Sequence, residues 1–222
     1  MKLTVICTLL IAGLYLSGCA AHTNLMPVGK GNAEVSAGLG GPFITVSDMK
    51  IPAPYITLGG LYGLKDDINL NANIHVTSFM YKVAGIDLGA AWFPLLNYGW
   101  KPAVGIQPGI LMLASLKENV ESRFRLYPML SGSLAWKVPG GTGYTGLDML
   151  FLPAKPEYDS EAPSYIASPF AGYRFPLSEK IKFCCELKWQ AANVEGYQLA
   201  PEYLSIGKHG AFTVLLSVSR SL

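Results

Sequence analysis

The sequence predicts an all-β protein, an antiparallel up-and-down β-barrel of about ten strands. Three observations predict it: side-chain polarity alternates with a period near two, short and long connections take turns, and the chain is apolar yet poor in helical patterns. Of 222 residues, 50% are hydrophobic and only 14% charged, with a formal net charge of +2. Soluble domains carry roughly 25% charged residues. Aromatic content of 11% with so little net charge excludes a disordered chain. No basic patch supports a nucleic-acid partner. Beyond the N-terminus no apolar run reaches the roughly 18 residues of a membrane helix. One β domain remains.

The first segment is read as a leader. Lys2 precedes an apolar stretch over 3–16 that ends in small residues, the pattern of a secretory signal peptide over 1–18. Leu16-Ser17-Gly18-Cys19 resembles the lipobox of bacterial lipoproteins. That resemblance implies cleavage before Cys19, a diacylglyceryl group on its thiol and an acyl group on its new amine, so the expected partner is membrane lipid. Two or three chains hold a protein where one would not, at about 0.8 kcal/mol per buried methylene. Ala20 stands where Asp would oppose sorting, which in that family goes with the outer membrane. Residues 19–31 are then expected to be a lipidated tether, and 32–222 the barrel. Of the other cysteines, Cys7 leaves with the leader. Cys184 and Cys185 are adjacent, a poor geometry for a disulfide, since neighbours on a strand face opposite ways.

Strands follow in order over 32–44, 54–64, 68–79, 83–93, 102–115, 126–137, 141–151, 164–175, 181–191 and 209–220. The clearest is Ile68-Asn69-Leu70-Asn71-Ala72-Asn73-Ile74-His75-Val76-Thr77, where apolar and polar residues exchange at every step. A strand sorts that pattern onto two faces and a helix does not. In the fourth segment Ala84, Ile86, Leu88, Ala90 and Trp92 oppose Gly85, Asp87 and Gly89. In the ninth, Ile181, Phe183, Cys185, Leu187 and Trp189 oppose Lys182, Cys184, Glu186, Lys188 and Gln190. In the last, Phe212, Val214, Leu216 and Val218 oppose Ala211, Thr213, Leu215, Ser217 and Ser219. Pro108, Pro128 and Pro169 fall inside three of these strands, where each requires a bulge or a strand end, because proline has no N–H for the ladder.

The connections at 65–67, 95–100, 138–140 and 176–180 are short and fall on one side. Those at 45–53, 116–125, 152–163 and 192–208 are longer, with a tight exception near Tyr81-Lys82. Outer-membrane barrels show this asymmetry. Tyr62-Gly63-Leu64-Lys65-Asp66-Asp67-Ile68-Asn69-Leu70 resembles a hairpin recurring in small Gram-negative outer-membrane β-barrels. Trp92-Phe93-Pro94 and Arg174-Phe175-Pro176 open two short turns alike, with aromatics at the girdle position. The resemblance implies an architecture and no activity.

Chemistry is sparse. Asn69, Asn71, Asn73 and His75, with Asp87, Asp148, Arg174, Lys182, Glu186 and Lys188, are expected to face the interior. Both signs occur among them, so mutual pairing that fills a narrow bore is the simplest role. His75 sits mid-strand, where a base of a lipid-modifying enzyme could stand; no Ser or acid is placed beside it by spacing. His22 falls in the tether. The loops 152–163 and 192–208 carry Tyr158, Tyr197 and Tyr203 among acidic residues and suit contact with an envelope protein or lipid. No phosphate cradle, metal spacing or cofactor fingerprint is present, so no catalytic residue and no cofactor is expected. The reading is a lipid-anchored outer-membrane barrel with a structural, interaction or small-solute role. The alternatives are a lipid-tethered, lipocalin-like carrier of an apolar ligand, and a barrel enzyme acting on envelope lipids.

Overall fold

A computed structural model describes residues 21–46, 49–96, 100–117, 124–153, 163–195 and 203–222. Eleven strands form one antiparallel sheet: β1 (Ala33–Val46), β2 (Met49–Pro52), β3 (Tyr55–Lys65), β4 (Ile68–His75), β5 (Val83–Leu95), β6 (Ala103–Ser115), β7 (Phe124–Val138), β8 (Gly141–Phe151), β9 (Tyr165–Pro176), β10 (Ile181–Glu195) and β11 (His209–Ser221). Each pairs with its chain neighbour, except that β1 also pairs with β3, and β11 pairs back onto β1 from Glu34↔Ser221 to Pro42↔Thr213. Ten strands thus close the barrel. The short β2 is a hairpin extension of β1, Phe43↔Pro52 to Val46↔Met49, inside what the sequence reads as a loop.

One rim gathers the start of β1, the C-terminus and the tight turns. Leu222 N–H donates to Ala33 O at 3.0 Å, Ser221 N–H to Lys180 O at 2.9 Å, and Phe93 N–H to Asp67 O at 2.9 Å. The longer connections leave the other rim, as the connection lengths predict. The strand expected over 68–79 stops at His75. A 3₁₀ turn over Val76–Tyr81 follows and ends at Lys82, whose φ of 58° is left-handed and whose N–H meets the carbonyls of Phe79 and Ser78. Thr77 tucks inward and its Oγ1 accepts Ile56 N–H at 2.7 Å, which holds the turn against β3.

The prolines are accommodated where a ladder lapses. Pro108 pairs with Leu130 on β7, while the β5–β6 ladder skips from Gly89↔Gly109 to Trp92↔Ile106. Pro128 pairs with Ile110, and the β7–β8 ladder begins one residue later at Met129. Pro169 pairs with Leu147, and the β9–β10 ladder ends at Phe170. In each case a missing N–H removes no ladder bond.

The polarity of the barrel is inverted relative to a water-soluble fold. Leu88 is 42% exposed and the preceding Asp87 only 6%. The pattern repeats around the wall: Leu39, Leu58, Leu70, Leu130, Leu187 and Val218 face out, while Glu34, Asn69, Glu186, Lys188 and Thr213 are buried. Exposed apolar surface continuous around a closed wall marks a lipid-facing belt, and polar groups enclosed by it complete the pattern of an outer-membrane-type barrel. The arrangement removes the basis of a lipocalin-like carrier, whose apolar face would line the inside. A charge on the belt near the middle of a strand is therefore expected to destabilise the barrel in lipid. Leu88→Arg should cost about 2–4 kcal/mol, read from urea unfolding in lipid vesicles, with Leu88→Ala as the neutral control.

Candidate functional site

The lumen is occupied by the chain's own N-terminal segment. The sequence reads residues 19–31 as a lipidated tether. In the structure the segment runs inside the barrel from Ala21, packed with Tyr55 and Leu215, and emerges at the exposed Lys30 and Gly31, where the Gly31 N–H reaches Gly63 O at 2.8 Å. An unpaired backbone entering a dry space must find hydrogen-bond partners, and the inward side chains supply them. Arg174 donates to Thr23 O. Asn24 Nδ2 donates to Gln107 Oε1 at 3.2 Å. Asn69 is the densest contact: its Nδ2 donates to Asn24 Oδ1 at 2.7 Å and to Met26 O at 3.1 Å, while its Oδ1 accepts Val28 N–H at 3.1 Å. Leu25 is fully buried against Ala135, Tyr144, Phe170 and Cys184. It lies between an inner cavity of about 110 Å³, bounded by Ala21–Asn24 among others, and an open vestibule of about 1010 Å³ at the short-turn rim. The segment is a plug.

His22 anchors it electrostatically. Its Nδ1 lies 3.0 Å from Glu186 Oε2 and its Nε2 lies 3.0 Å from Asp148 Oδ1. Ionised carboxylates only accept, so both ring nitrogens must donate, and the ring is an imidazolium. Its backbone N–H also reaches Glu186 Oε2 at 2.9 Å. The ring stacks on Phe170, with centroids 3.8 Å apart and planes inclined by 11°. Lys188 Nζ sits 2.9 Å from Asp148 Oδ2 and 3.7 Å from Glu186 Oε1. The Tyr144 hydroxyl donates to Glu186 Oε2 at 2.9 Å and lies 2.8 Å from Cys184 Sγ.

Two glycines make room for the aromatic members of this seat. A Cβ on Gly172 would fall 2.5 Å from Tyr144 Cζ, and one on Gly146 would fall 2.4 Å from Phe170 Cζ and 2.2 Å from Gly132 O. Overpacking of this kind costs typically 1–3 kcal/mol. Gly172→Val is expected to lose about that much and to lower the unfolding midpoint in detergent micelles. Gly132→Ala, where a Cβ would meet open space, should change it little.

His75 belongs to a second buried group. The Tyr55 hydroxyl is 2.6 Å from His75 Nδ1, and His75 Nε2 is 3.0 Å from Asp87 Oδ2; Asn73 Nδ2 donates to Asp87 Oδ1 at 2.7 Å. Both ring nitrogens are thus engaged. Ser78 Oγ donates to the His75 carbonyl at 2.6 Å, so this hydroxyl is directed away from the ring. The base that sequence reading considered is thus flanked by a hydroxyl, Tyr55, and an acid, Asp87, neither of which spacing alone placed beside it.

The expected inward residues divide between these groups and the vestibule. Asn69 holds the plug, Asn73, His75 and Asp87 form the relay with Tyr55, and Asp148, Glu186 and Lys188 form the seat of His22. Asn71 is buried beside the inner cavity. Lys182 is half-buried at the vestibule and pairs with Glu34. Among the described residues no three His, Cys, Asp or Glu side chains are grouped to hold a metal. Cys19 and residues 154–162 and 196–202, which include most of the two expected contact loops, lie outside the described residues. Tyr203, at the end of the second loop, is buried with Ile166, Ala191, Val194 and Ala211, because the chain there bridges to Ile44 of β1. Sequence reading also missed His22, Tyr55 and Tyr144 as members of the lumen network. A polar run such as His22-Thr23-Asn24 reads as solvated, and only the fold brings its partners to it.

No protein-family model matches the chain, and no curated protein matches it. Among solved structures, it is similar to an outer-membrane channel from Pseudomonas putida F1, at 12% identity and a TM-score of 0.49 over 91% of this chain and 100% of that one. It is also similar to the NanC porin, at 10% identity and a TM-score of 0.46 over 86% and 100%. A third is the outer membrane protein OprG from Pseudomonas aeruginosa, at 10% identity and a TM-score of 0.34 over 90% and 99%.

Proposed function

We propose that this chain is a non-catalytic barrel of the Gram-negative outer membrane, a small-solute pore kept closed by its own N-terminal segment and anchored by lipid at Cys19. The observation that carries the reading is the polarity of the wall, apolar outside and charged within, around a plug held by hydrogen bonds and ion pairs as well as by the burial of Leu25. A lumen filled only for stability would need no detachable occupant. Here residues 21–31 precede the first strand and can leave the bore without breaking a β-ladder.

The lipid anchor rests on Leu16-Ser17-Gly18-Cys19. Cys19 precedes Asn32 by thirteen positions, so an extended chain between them spans at most roughly 45 Å. That exceeds the roughly 30 Å hydrocarbon core, so with residues 21–31 withdrawn from the bore the acylated terminus reaches either rim. The test is twofold. Alkaline carbonate should leave the protein in the membrane pellet, and its gel mobility should shift on heating. The mature chain should begin at Cys19 with the mass of a diacylglyceryl group and an amide-linked acyl chain. Release into the carbonate supernatant refutes the spanning barrel; an unmodified Cys19 refutes the anchor alone.

A further inference from the structure

We propose that the seat of His22 is a binding site for small planar monocations of the imidazolium, amidinium or guanidinium class, and that His22 is a built-in competitor which such a solute displaces. The inference rests on the reading of the barrel as a plugged pore and names the solute it would recognise.

Three features of the seat define the ligand. The first is charge. The groups in contact with the imidazole cluster are two carboxylates, Asp148 and Glu186, and one ammonium, Lys188. With His22 withdrawn, one negative charge is left uncompensated, which calls for a single positive charge. The second is shape. Phe170 offers its ring face at 3.8 Å to a nearly parallel plane, a surface that favours flat delocalised cations over a tetrahedral ammonium. The third is the placing of acceptors. Oxygens of Asp148 and Glu186 stand 3.0 Å from two separate N–H groups of one small ring, so the ligand needs two divergent donors on one planar frame. The seat is built by strands: Asp148 on β8, Phe170 on β9, Glu186 and Lys188 on β10. Its occupant comes from a segment outside the sheet, and it opens directly onto the inner cavity, which both Asp148 and Lys188 line. With His22 withdrawn, Lys188 faces two carboxylates alone, an unfavourable imbalance in a buried site that an incoming cation relieves.

The experiment uses the full-length protein and His22→Ala, both reconstituted in planar bilayers and in micelles at pH 6, where free imidazole is largely protonated. The probes are imidazolium and guanidinium at millimolar concentration, with neutral pyrazole and tetrahedral tetramethylammonium as controls. Calorimetry should show imidazolium binding His22→Ala at least about tenfold more tightly than it binds the unsubstituted chain, since no internal competitor remains, and Asp148→Asn should abolish that binding. In the unsubstituted chain imidazolium and guanidinium should raise bilayer conductance, whereas pyrazole and tetramethylammonium should not. Equal binding of pyrazole and imidazolium overturns the proposal. So does binding confined to His22→Ala with no conductance response in the unsubstituted chain, because it marks a filled hole and not a ligand site. A barrel that conducts in no variant, even with the plug deleted, refutes the pore itself, a result read separately from the calorimetry.

Discussion

Deleting residues 21–28 is expected to convert a closed barrel into a conducting one. The segment supplies Leu25 between the two cavities, and no strand of the wall takes its place there. His22 holds it through two charge-assisted hydrogen bonds, each worth about 1.5–3 kcal/mol. Even at the lower end the pair amounts to roughly 3 kcal/mol, which keeps the open population near or below about one in a hundred. Removing the segment should raise mean single-channel conductance by about two orders of magnitude. His22→Ala, which keeps Asn69, Asn24 and Leu25 in place, should give an intermediate rise with frequent closures. The barrel should survive the deletion, because residues 21–28 contribute no strand pairing and the wall closes without them. Recordings indistinguishable from those of the intact chain would show that the segment does not obstruct the bore.

Glu186→Ala should be among the most destabilising single changes in the wall. Glu186 is fully buried, and its carboxylate takes the His22 ring, the His22 backbone N–H and the Tyr144 hydroxyl, with Lys188 beside it. Removing it strands two cations against the one carboxylate of Asp148. Breaking a buried pair by deleting one partner costs about 3–5 kcal/mol, much of it the cost of the charge left behind. The expected outcome is a loss of that size in urea unfolding in vesicles, with the heat-induced mobility shift moved to lower temperature. Glu186→Gln retains an acceptor for the Tyr144 hydroxyl and should lose less. A neutral Glu186→Ala would mean that the cluster of His22, Asp148, Glu186 and Lys188 does not act as one unit.

These two expectations also show how far the sequence could be read. The wall was legible because a strand sorts alternate side chains to opposite faces. Ile68 to Thr77 therefore announces both its structure and its inward stripe, and the tight turns after Lys65, Val138 and Pro176 mark one rim. The prolines were the apparent contradiction. Pro128 and Pro169 resolve because strands in the barrel are staggered and one ladder ends beside them, and Pro108 resolves at an irregularity inside the β5–β6 ladder; single-strand periodicity contains no information about either. The plug was not legible for a different reason. His22 is separated from Asp148 by 126 positions and from Glu186 by 164, and no local pattern in His22-Thr23-Asn24 distinguishes a solvated tether from a segment threaded through a polar bore. The burial of Tyr203 was hidden in the same way, since it depends on a bridge to Ile44 at the far end of the chain. Local chemistry told which residues face inward, and only closure of the sheet told what they meet there.

The inside-out wall is tested most directly by spin labels placed singly at Leu88, Leu130 and Leu216, and at Asn71 and Thr213, in a chain with Cys184 and Cys185 replaced by serine and reconstituted in vesicles. Labels at the three leucines should collide freely with dissolved oxygen and be shielded from a water-soluble nickel chelate. Those at Asn71 and Thr213 should show little oxygen access. Leucine-site labels relaxed by the chelate as fully as a label on an exposed turn would place that face in water and contradict the account.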